Sequence, residues 1–501
     1  MDARISHDAP QEIRIVSLNC WGLKFLAKYR HERLSEIGRQ LAAISPPPDI
    51  IGLQECWTKQ DYESIRDTLR ERIGLQYSKF YNSGIFGGGL AIISRWPIEE
   101  ASMVRYPLNG RPTAFFRGDW FVGKGVACAR IRFGKGKKDV AEVFCTHLHA
   151  PYESEPNDSY ICHRTAQAWE ITKLMRGAAE RDHLVIGLGD FNMIPLSLAH
   201  RLIEAHSPAR DVWRIHHPDS SIGAHRDAVE QARGRPMPNA RFNITENGAT
   251  CDSALNTWRW NEAHQKRLEK GLPVTVEDTV EDPRAKRLDY VFFSCGENSP
   301  SANNDTDWVL DKVDVGMTQR HPELRCSLSD HFSVEVTIRR AGGPSPRSST
   351  SQSLYTGTSA LPISTYDEIL AMIHKYTARE YRQRRLRLGH FAGQLLVAIG
   401  CLIAVWWSPR NFVSFILMLV STLGLAAGVI DGLIGGLFVG SELRALREFE
   451  WEIRNARAAA EGQGADLTKA HDDEAEHGAG AEAETAVAED EEQGDDTGDG
   501  V

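Results

Sequence analysis

The first 340 residues predict an α/β sandwich, two sheets with helices on their outer faces. Three observations carry that expectation. Short apolar runs of strand length, rich in Val, Ile and Phe, recur along this stretch. Two stretches of helical period, 30–44 (RHERLSEIGRQLAAI) and 163–180, lie between them. Five of the runs also begin or end at a short polar word, as strands do when they reach the edge of a sheet.

The elements follow in order. IRIVSL runs into Leu18-Asn19-Cys20-Trp21, and DIIGL into Gln54-Glu55-Cys56-Trp57. GLAIIS and KGVACARIRF are further strands. VAEVFC reaches Thr146-His147-Leu148-His149, and HLVIGL reaches Gly189-Asp190-Phe191-Asn192. LDYVFFS follows, and Ser329-Asp330-His331 precedes FSVEVTI. The long polar segments 214–250 and 259–286 read as insertion loops, because their Pro, Gly and charge content argues against a second core.

Composition excludes some classes. The chain has 501 residues, is 42% hydrophobic and 25% charged, and carries a net charge of −10. Residues 466–501 hold fourteen acids and the single base Lys469, so the rest is near +3. That is too weakly basic to argue for a nucleic-acid partner. Nine cysteines, with no CxxC pair, suit a reducing compartment, and Cys128, Cys145 and Cys295 sit in apolar runs as free thiols do. The polar start MDARISHDAPQE argues against a cleavable signal peptide and for a cytosolic catalytic part.

Residues 1–340 are therefore expected to form a catalytic domain and 341–362, rich in Gly, Pro and Ser, a flexible linker. Thr365 with Glu368 reads as a capping box opening a basic juxtamembrane helix over 363–389, which carries Arg382, Arg384, Arg385 and Arg387. Within 390–440, the uncharged stretches 391–407 and 411–430 approach the length of a membrane span, broken by Ser408-Pro409-Arg410, and read as two transmembrane segments or, given the short first stretch and tight turn, as a re-entrant hairpin. Trp406 and Trp407 suit an interface belt, and Arg444 and Arg447 put both ends on the cytosolic side. Asp431 is expected to be a lone hydrated acid. Residues 441–501 should begin as a helix and end as a disordered acidic tail.

The polar words are individually bland and jointly informative. Glu55 at a strand end suits a hard cation such as Mg²⁺, which takes few protein carboxylates. Asn19 on the neighbouring strand can position a phosphate oxygen or water. Asp190 and Asn192, two apart, can orient a nucleophile and donate to phosphate if the strand continues through both. His147 and His149 would likewise share one face. His331, beside Asp330, is a candidate general base, and Asp289 a candidate partner to fix its tautomer.

As a set, LNCWG, QECW, THLHA, GDFN, RLDY and SDH resemble the endonuclease/exonuclease/phosphatase superfamily, with its DNase I-like four-layer sandwich. Gly118-Asp119-Trp120-Phe121-Val122-Gly123-Lys124 and GATCDSALNTW (248–258) resemble elements of the neutral sphingomyelinases and the fungal inositol phosphosphingolipid phospholipases C. The resemblance implies a Mg²⁺-dependent (or Mn²⁺-dependent) phospholipase C that releases ceramide from a membrane sphingolipid. Glu55 would be the main metal ligand, with Asn19 and Asp330 beside it. His331 would be the base, oriented by Asp289. Asp190 and Asn192 would hold nucleophile and phosphate, and His147 would act near the leaving group. Asp119 and Lys124 belong to the P-loop-like element. The apolar pair leads us to expect an integral, multi-pass protein of the endoplasmic reticulum, another endomembrane or the mitochondrial outer membrane, and the basic helix anionic phospholipids as activators. The competing readings are a membrane-bound nuclease, an inositol phosphate phosphatase and an inactive membrane scaffold.

Overall fold

A computed structural model of the chain describes residues 9–153, 158–294, 308–340 and 361–462. Cys295, most of the linker and the acidic tail lie outside the described residues. The eight described cysteines are all unpaired.

The strands β1 (Glu12–Asn19), β2 (Ile50–Gln54), β3 (Tyr77–Tyr81), β4 (Leu90–Ser94), β11 (Trp308–Gly316) and β12 (Ser333–Arg340) form one sheet in the order β11-β12-β1-β2-β4-β3. The strands β5 (Ile98–Arg105), β6 (Gly125–Arg132), β7 (Val140–His147), β8 (Leu184–Asp190), β9 (Arg210–Asp211) and β10 (Asp289–Ser294) form a second, ordered β5-β6-β7-β8-β10-β9. Each sheet holds one parallel pair, β1 with β2 and β7 with β8, among antiparallel neighbours.

The alternation of side chains builds four layers. Ile13 and Ile15 of β1 point into the core between the sheets, with Ile186 and Leu188 of β8 opposite, while Val16 and Leu18 point outward. The outward set packs on Leu34 and Ile37 of α1 (Arg30–Leu41) and on Ile65 and Leu69 of α2 (Lys59–Ile73). On the other outer face, Phe144 and Val185 pack against Ala168, Ile171 and Met175 of α4 (Ile161–Glu180), with Ile203 of α5 (Leu198–His206). Strands buried on both faces read as unbroken apolar runs, which is why they were visible in the sequence. The sheets approach closely at Gly52, where a Cβ would sit 2.0 Å from Leu188 Cδ1. The fold is thus the α/β sandwich expected, of the DNase I-like kind.

Several sequence expectations are corrected. The polar stretches expected as loops contain short helices: α6 (Val212–His216), α7 (Ala228–Gln231), α8 (Ala240–Thr245) and α9 (Glu262–Glu269). Another short helix, α3 (Asp119–Val122), opens the GDWFVGK segment. Thr365 is not a cap, since the next helix begins at Ile363 after Pro362.

That helix, α10 (Ile363–Ala404), runs unbroken for 42 residues through both the basic stretch and the first apolar one. It pairs with α11 (Asn411–Leu433), which continues through a π-helical turn at Ile434–Phe438 into α12 (Val439–Ala460). The two arms form a hairpin. Its base is a packed interface: Tyr366, Ile369 and Ile373 of α10 and Leu443, Leu446 and Phe449 of α12 pack with Cys162, Trp169 and Leu202 of the sandwich. Lys173 adds an ion pair to Glu452 at 2.8 Å. Towards its tip the hairpin exposes Leu396, Trp406, Phe415 and Leu423. Asp431 is not a lone acid; it pairs with Arg387, and with His390 at 2.8 Å.

The interface buries a charged cluster. Glu442 Oε1 lies 3.4 Å from His163 Nε2, and Glu380 accepts from Arg379 Nε at 2.9 Å with Arg111 3.8 Å away. Burial, outweighing the pull of Arg379 and Arg111, raises the Glu442 carboxyl to about 7. A carboxyl raised by folding stabilises below its unfolded value and loses that contribution as pH rises through about 7. Glu442→Gln should therefore gain up to about 3 kcal/mol over wild type at high pH. Melting temperatures of both proteins across neutral pH check this; a pH-independent difference would refute it.

Candidate active site

The topology collects the polar words at one edge. Parallel pairing brings Asn19 level with Gln54, so Glu55 emerges beside it, and His147 level with Asp190. Asp289, the first residue of the antiparallel β10, pairs with Asp190. His331 lies just before β12, and Ser329 Oγ ties that segment down by donating to the Asn19 carbonyl at 2.6 Å. Gly189 makes the approach possible. Its φ is 146°, and a Cβ there would lie 2.0 Å from the Thr146 carbonyl oxygen.

Asn19 is central, donating through Nδ2 to Asp190 Oδ2 at 3.0 Å and to Glu55 Oε1 at 3.2 Å. Glu55 turns into the site with φ 53°, a left-handed conformation held by Gly22 N–H donating to its carbonyl at 2.9 Å. Its other oxygen, Oε2, is buried without a hydrogen-bond partner. His147 Nε2 stands 3.5 Å from Asp190 Oδ2 and 4.0 Å from Glu55 Oε1. His331 Nδ1 donates to Asp289 Oδ2 at 2.7 Å, and Thr250 Oγ1 donates to the same oxygen at 2.6 Å. The imidazole is thereby fixed with its proton on Nδ1, leaving Nε2 4.0 Å from Asp190.

The remaining candidates sit around this group. The strand stops at Asp190, so Asn192 does not share its face; it adopts φ 47°, and its N–H donates to Asp190 Oδ1 at 2.9 Å while Nδ2 donates to the Leu148 carbonyl. His149 is off the strand too, stacked on Tyr160 and 3.6 Å from Asp119. Asp119 accepts from the Tyr152 hydroxyl at 2.9 Å. Lys124 is buried, its Nζ donating to the carbonyls of His147 and Leu148 at 3.3 and 3.1 Å. Asp330 contributes its charge to the Glu55 environment. Thr250 is the residue sequence reasoning missed. It lies 39 positions from the aspartate it orients, and only the GATCDS word marked its segment.

Burial sets the electrostatics. It raises Glu55, helped by the Asp330 charge, and raises Asp190 to about 7, helped by Asp289. Burial also lowers His147 well below its ordinary value, and the Lys124 charge adds to that. At His331 burial pulls downward, but Asp289 leads the charges that win and hold it well above its ordinary value. Carboxyls so crowded are what a divalent cation would relieve, and Glu55 Oε2 offers it a buried oxygen without a partner. The residues thus fit a cation. Ligand atoms of Asp190, Asp289 and His331 also lie within 4.8 Å of one another. The short His331–Asp289 hydrogen bond would have to break for those two residues to share one ion.

The geometry has relatives. A model of the endonuclease/exonuclease/phosphatase family matches residues 16–331. An inositol phosphosphingolipids phospholipase C of Schizosaccharomyces pombe is 38% identical over 454 residues, covering 90% of this chain and 96% of the relative. The protein of the same name from Saccharomyces cerevisiae is 32% identical, covering 89% and 90%. Sphingomyelin phosphodiesterase 2 of Homo sapiens is 34% identical over 201 residues, covering 40% and 46%. With a carboxylate-rich edge, an oriented histidine and near full-length similarity, the chain belongs to the endonuclease/exonuclease/phosphatase family, in the group of inositol phosphosphingolipid phospholipases C and neutral sphingomyelinases, and is a phosphodiester hydrolase.

Proposed function

We propose that the protein is a Mg²⁺-dependent phospholipase C that cleaves inositol phosphosphingolipids, or sphingomyelin, to ceramide and a phosphorylated head group. The observation that carries this is the oriented His331–Asp289 pair facing a buried, unpartnered Glu55 oxygen, on a domain docked to an apolar hairpin.

Glu55, with Asn19 and Asp330, would hold the cation. When bound, Mg²⁺ neutralises developing phosphoryl charge, and Mn²⁺ serves as a substitute. His331 Nε2 takes a proton from water as the water oxygen bonds to phosphorus. Asp190 and Asn192 orient that water and the phosphate. The bond from phosphorus to the ceramide oxygen breaks, that oxygen takes a proton from a solvent water, and the resulting hydroxide is neutralised by the proton held on His331. His147, kept neutral, supports the departing oxygen with its Nε2, and Lys124 fixes the loop beneath it.

The apolar halves of α10 and α11 are read as a transmembrane hairpin with the catalytic domain on the cytosolic face of an endomembrane. Arg382, Arg384 and Arg385 are exposed on α10 and suit anionic phospholipid activators, each worth about 1 kcal/mol near such a surface. Arg387 is spent differently, donating to the Thr113 carbonyl. Phe115 and Phe116, exposed near that contact, suit insertion into the interface.

The test is hydrolysis by the full chain of ceramide phosphodiesters in vesicles, with plasmid DNA and soluble inositol polyphosphates in parallel. Ceramide release that stops with chelator and returns with Mg²⁺ is the expected result. DNA cleavage without ceramide release refutes the reading, as does activity indifferent to chelator.

A further inference from the structure

The reacting residues form a row with two dissimilar ends. Across the second sheet, His147 lies on β7, Asp190 on β8 and Asp289 on β10, so His147 and Asp289 flank Asp190. Beyond His147 comes β6, preceded by the segment that holds Thr113 and Trp120. Thr113 accepts from Arg387, and Trp120 packs on Phe438 with ring centroids 4.6 Å apart. That end belongs to the apolar hairpin. A lipid whose hydrocarbon chains lie on the hairpin side must present its head group to the other end, beyond Asp289 and His331.

The wall there is built from residues 250–259. Cys251 bridges antiparallel to both His331 and Lys286. Phe332 N–H donates to the Thr250 carbonyl at 2.8 Å, Asn256 Nδ2 to the Ser329 carbonyl at 3.0 Å, and Trp258 Nε1 to the Ser327 carbonyl at 2.9 Å, so the wall is stapled to the His331 segment. Asp252 then takes up φ 60°, a costly conformation for a residue with a side chain. Its carboxylate pairs with Arg259 Nε at 2.5 Å and Lys286 Nζ at 3.1 Å. Both cations stay partly exposed, and both have N–H groups to spare. Next to them, Trp21 and Trp258 pack at 4.7 Å with Arg33 against both rings. The wall therefore presents two partly exposed cations, with the buried Arg33 behind them, against the carboxylate of Asp252 and the nearby charge of Asp330.

We propose that Asp252, Arg259 and Lys286 form a head-group subsite that binds a phosphorylated polyol, the inositol phosphate of a phosphosphingolipid, in preference to phosphocholine. Hydroxyl and phosphate oxygens accept from the two cations, and Asp252 holds both in place. The trimethylammonium of choline accepts nothing and meets a positive wall whose aromatic pair, Trp21 and Trp258, is already covered by Arg33. This inference rests on the lipid phospholipase reading above.

The experiment compares full-length wild type, Arg259→Gln and Lys286→Gln on vesicles holding either inositol phosphoceramide or sphingomyelin, in Mg²⁺ buffer. The ratio of kcat/KM for the inositol lipid over the choline lipid should fall at least about tenfold in each variant, the scale of one lost charge-assisted hydrogen bond. On wild type alone, inositol 1-phosphate should inhibit more strongly than phosphocholine, a readout that needs no variant to fold. A ratio unmoved within about twofold, or equal inhibition by the two head groups, overturns the subsite. A wild type that releases ceramide from neither lipid instead overturns the phospholipase reading itself, so the two failures are distinguishable.

Discussion

Glu55→Ala should lower kcat/KM for ceramide release by at least about a thousandfold while leaving membrane binding intact. Glu55 packs no core. Its backbone is held by Gly22, and its side chain reaches only Asn19 and His147 before ending in the unpartnered Oε2. Removing it costs little structure but takes away the main anchor proposed for the cation. The hairpin, docked through α4 and α12, is untouched by the change. Turnover measured over a Mg²⁺ titration, beside flotation of the same protein with vesicles, separates the two effects. Activity that survives at saturating Mg²⁺ would show that the cation is held elsewhere.

Asp289→Asn should be almost as severe, up to about ten-thousandfold in kcat. The reason is tautomeric. Asp289 Oδ2 accepts from both His331 Nδ1 and Thr250 Oγ1, so the neutral imidazole keeps its proton on Nδ1 and Nε2 is the nitrogen that takes one up. An asparagine turned to present its amide nitrogen there would force the proton onto Nε2. On the proposed role the two residues act as one unit, so the double variant with His331→Gln should be no slower than the slower single variant. Single-turnover rates read this directly, and additive losses would argue that Asp289 and His331 act independently.

The parts of the fold visible in the sequence were those buried on both faces. β1, β2, β7, β8 and β10 read as apolar runs because each lies between the other sheet and a layer of helices. β5 (IEEASMVR) escaped because it is an edge strand with mostly exposed side chains, and β3 (YSKFY) because it is a short edge strand that buries only Tyr81 fully. α2 had signals that went unused: the Thr58 side chain accepts from Asp61 N–H, and Tyr62, Ile65 and Leu69 form its buried stripe. In the site, residues at strand ends were legible because an apolar run points to them. Strand-like spacing misled at Asn192 and His149, since the chain leaves the sheet at Asp190 and His147 and the two-residue alternation stops there. Thr250 was invisible for a different reason: its partner is fixed by tertiary contact alone.

The unbroken α10 has a mechanical consequence. At 1.5 Å per residue its 42 residues make a strut roughly 60 Å long, clamped to the sandwich at one end and, on our reading, embedded in lipid at the other. A strut of this kind has no loop along its length at which to hinge. On that reading the catalytic mouth would be held at one height and one tilt, and the enzyme would graze only the leaflet in which it stands, meeting substrate by lateral diffusion and never reaching across to an apposed membrane. Ceramide production would then be bounded by the area each molecule sweeps in its own sheet of lipid.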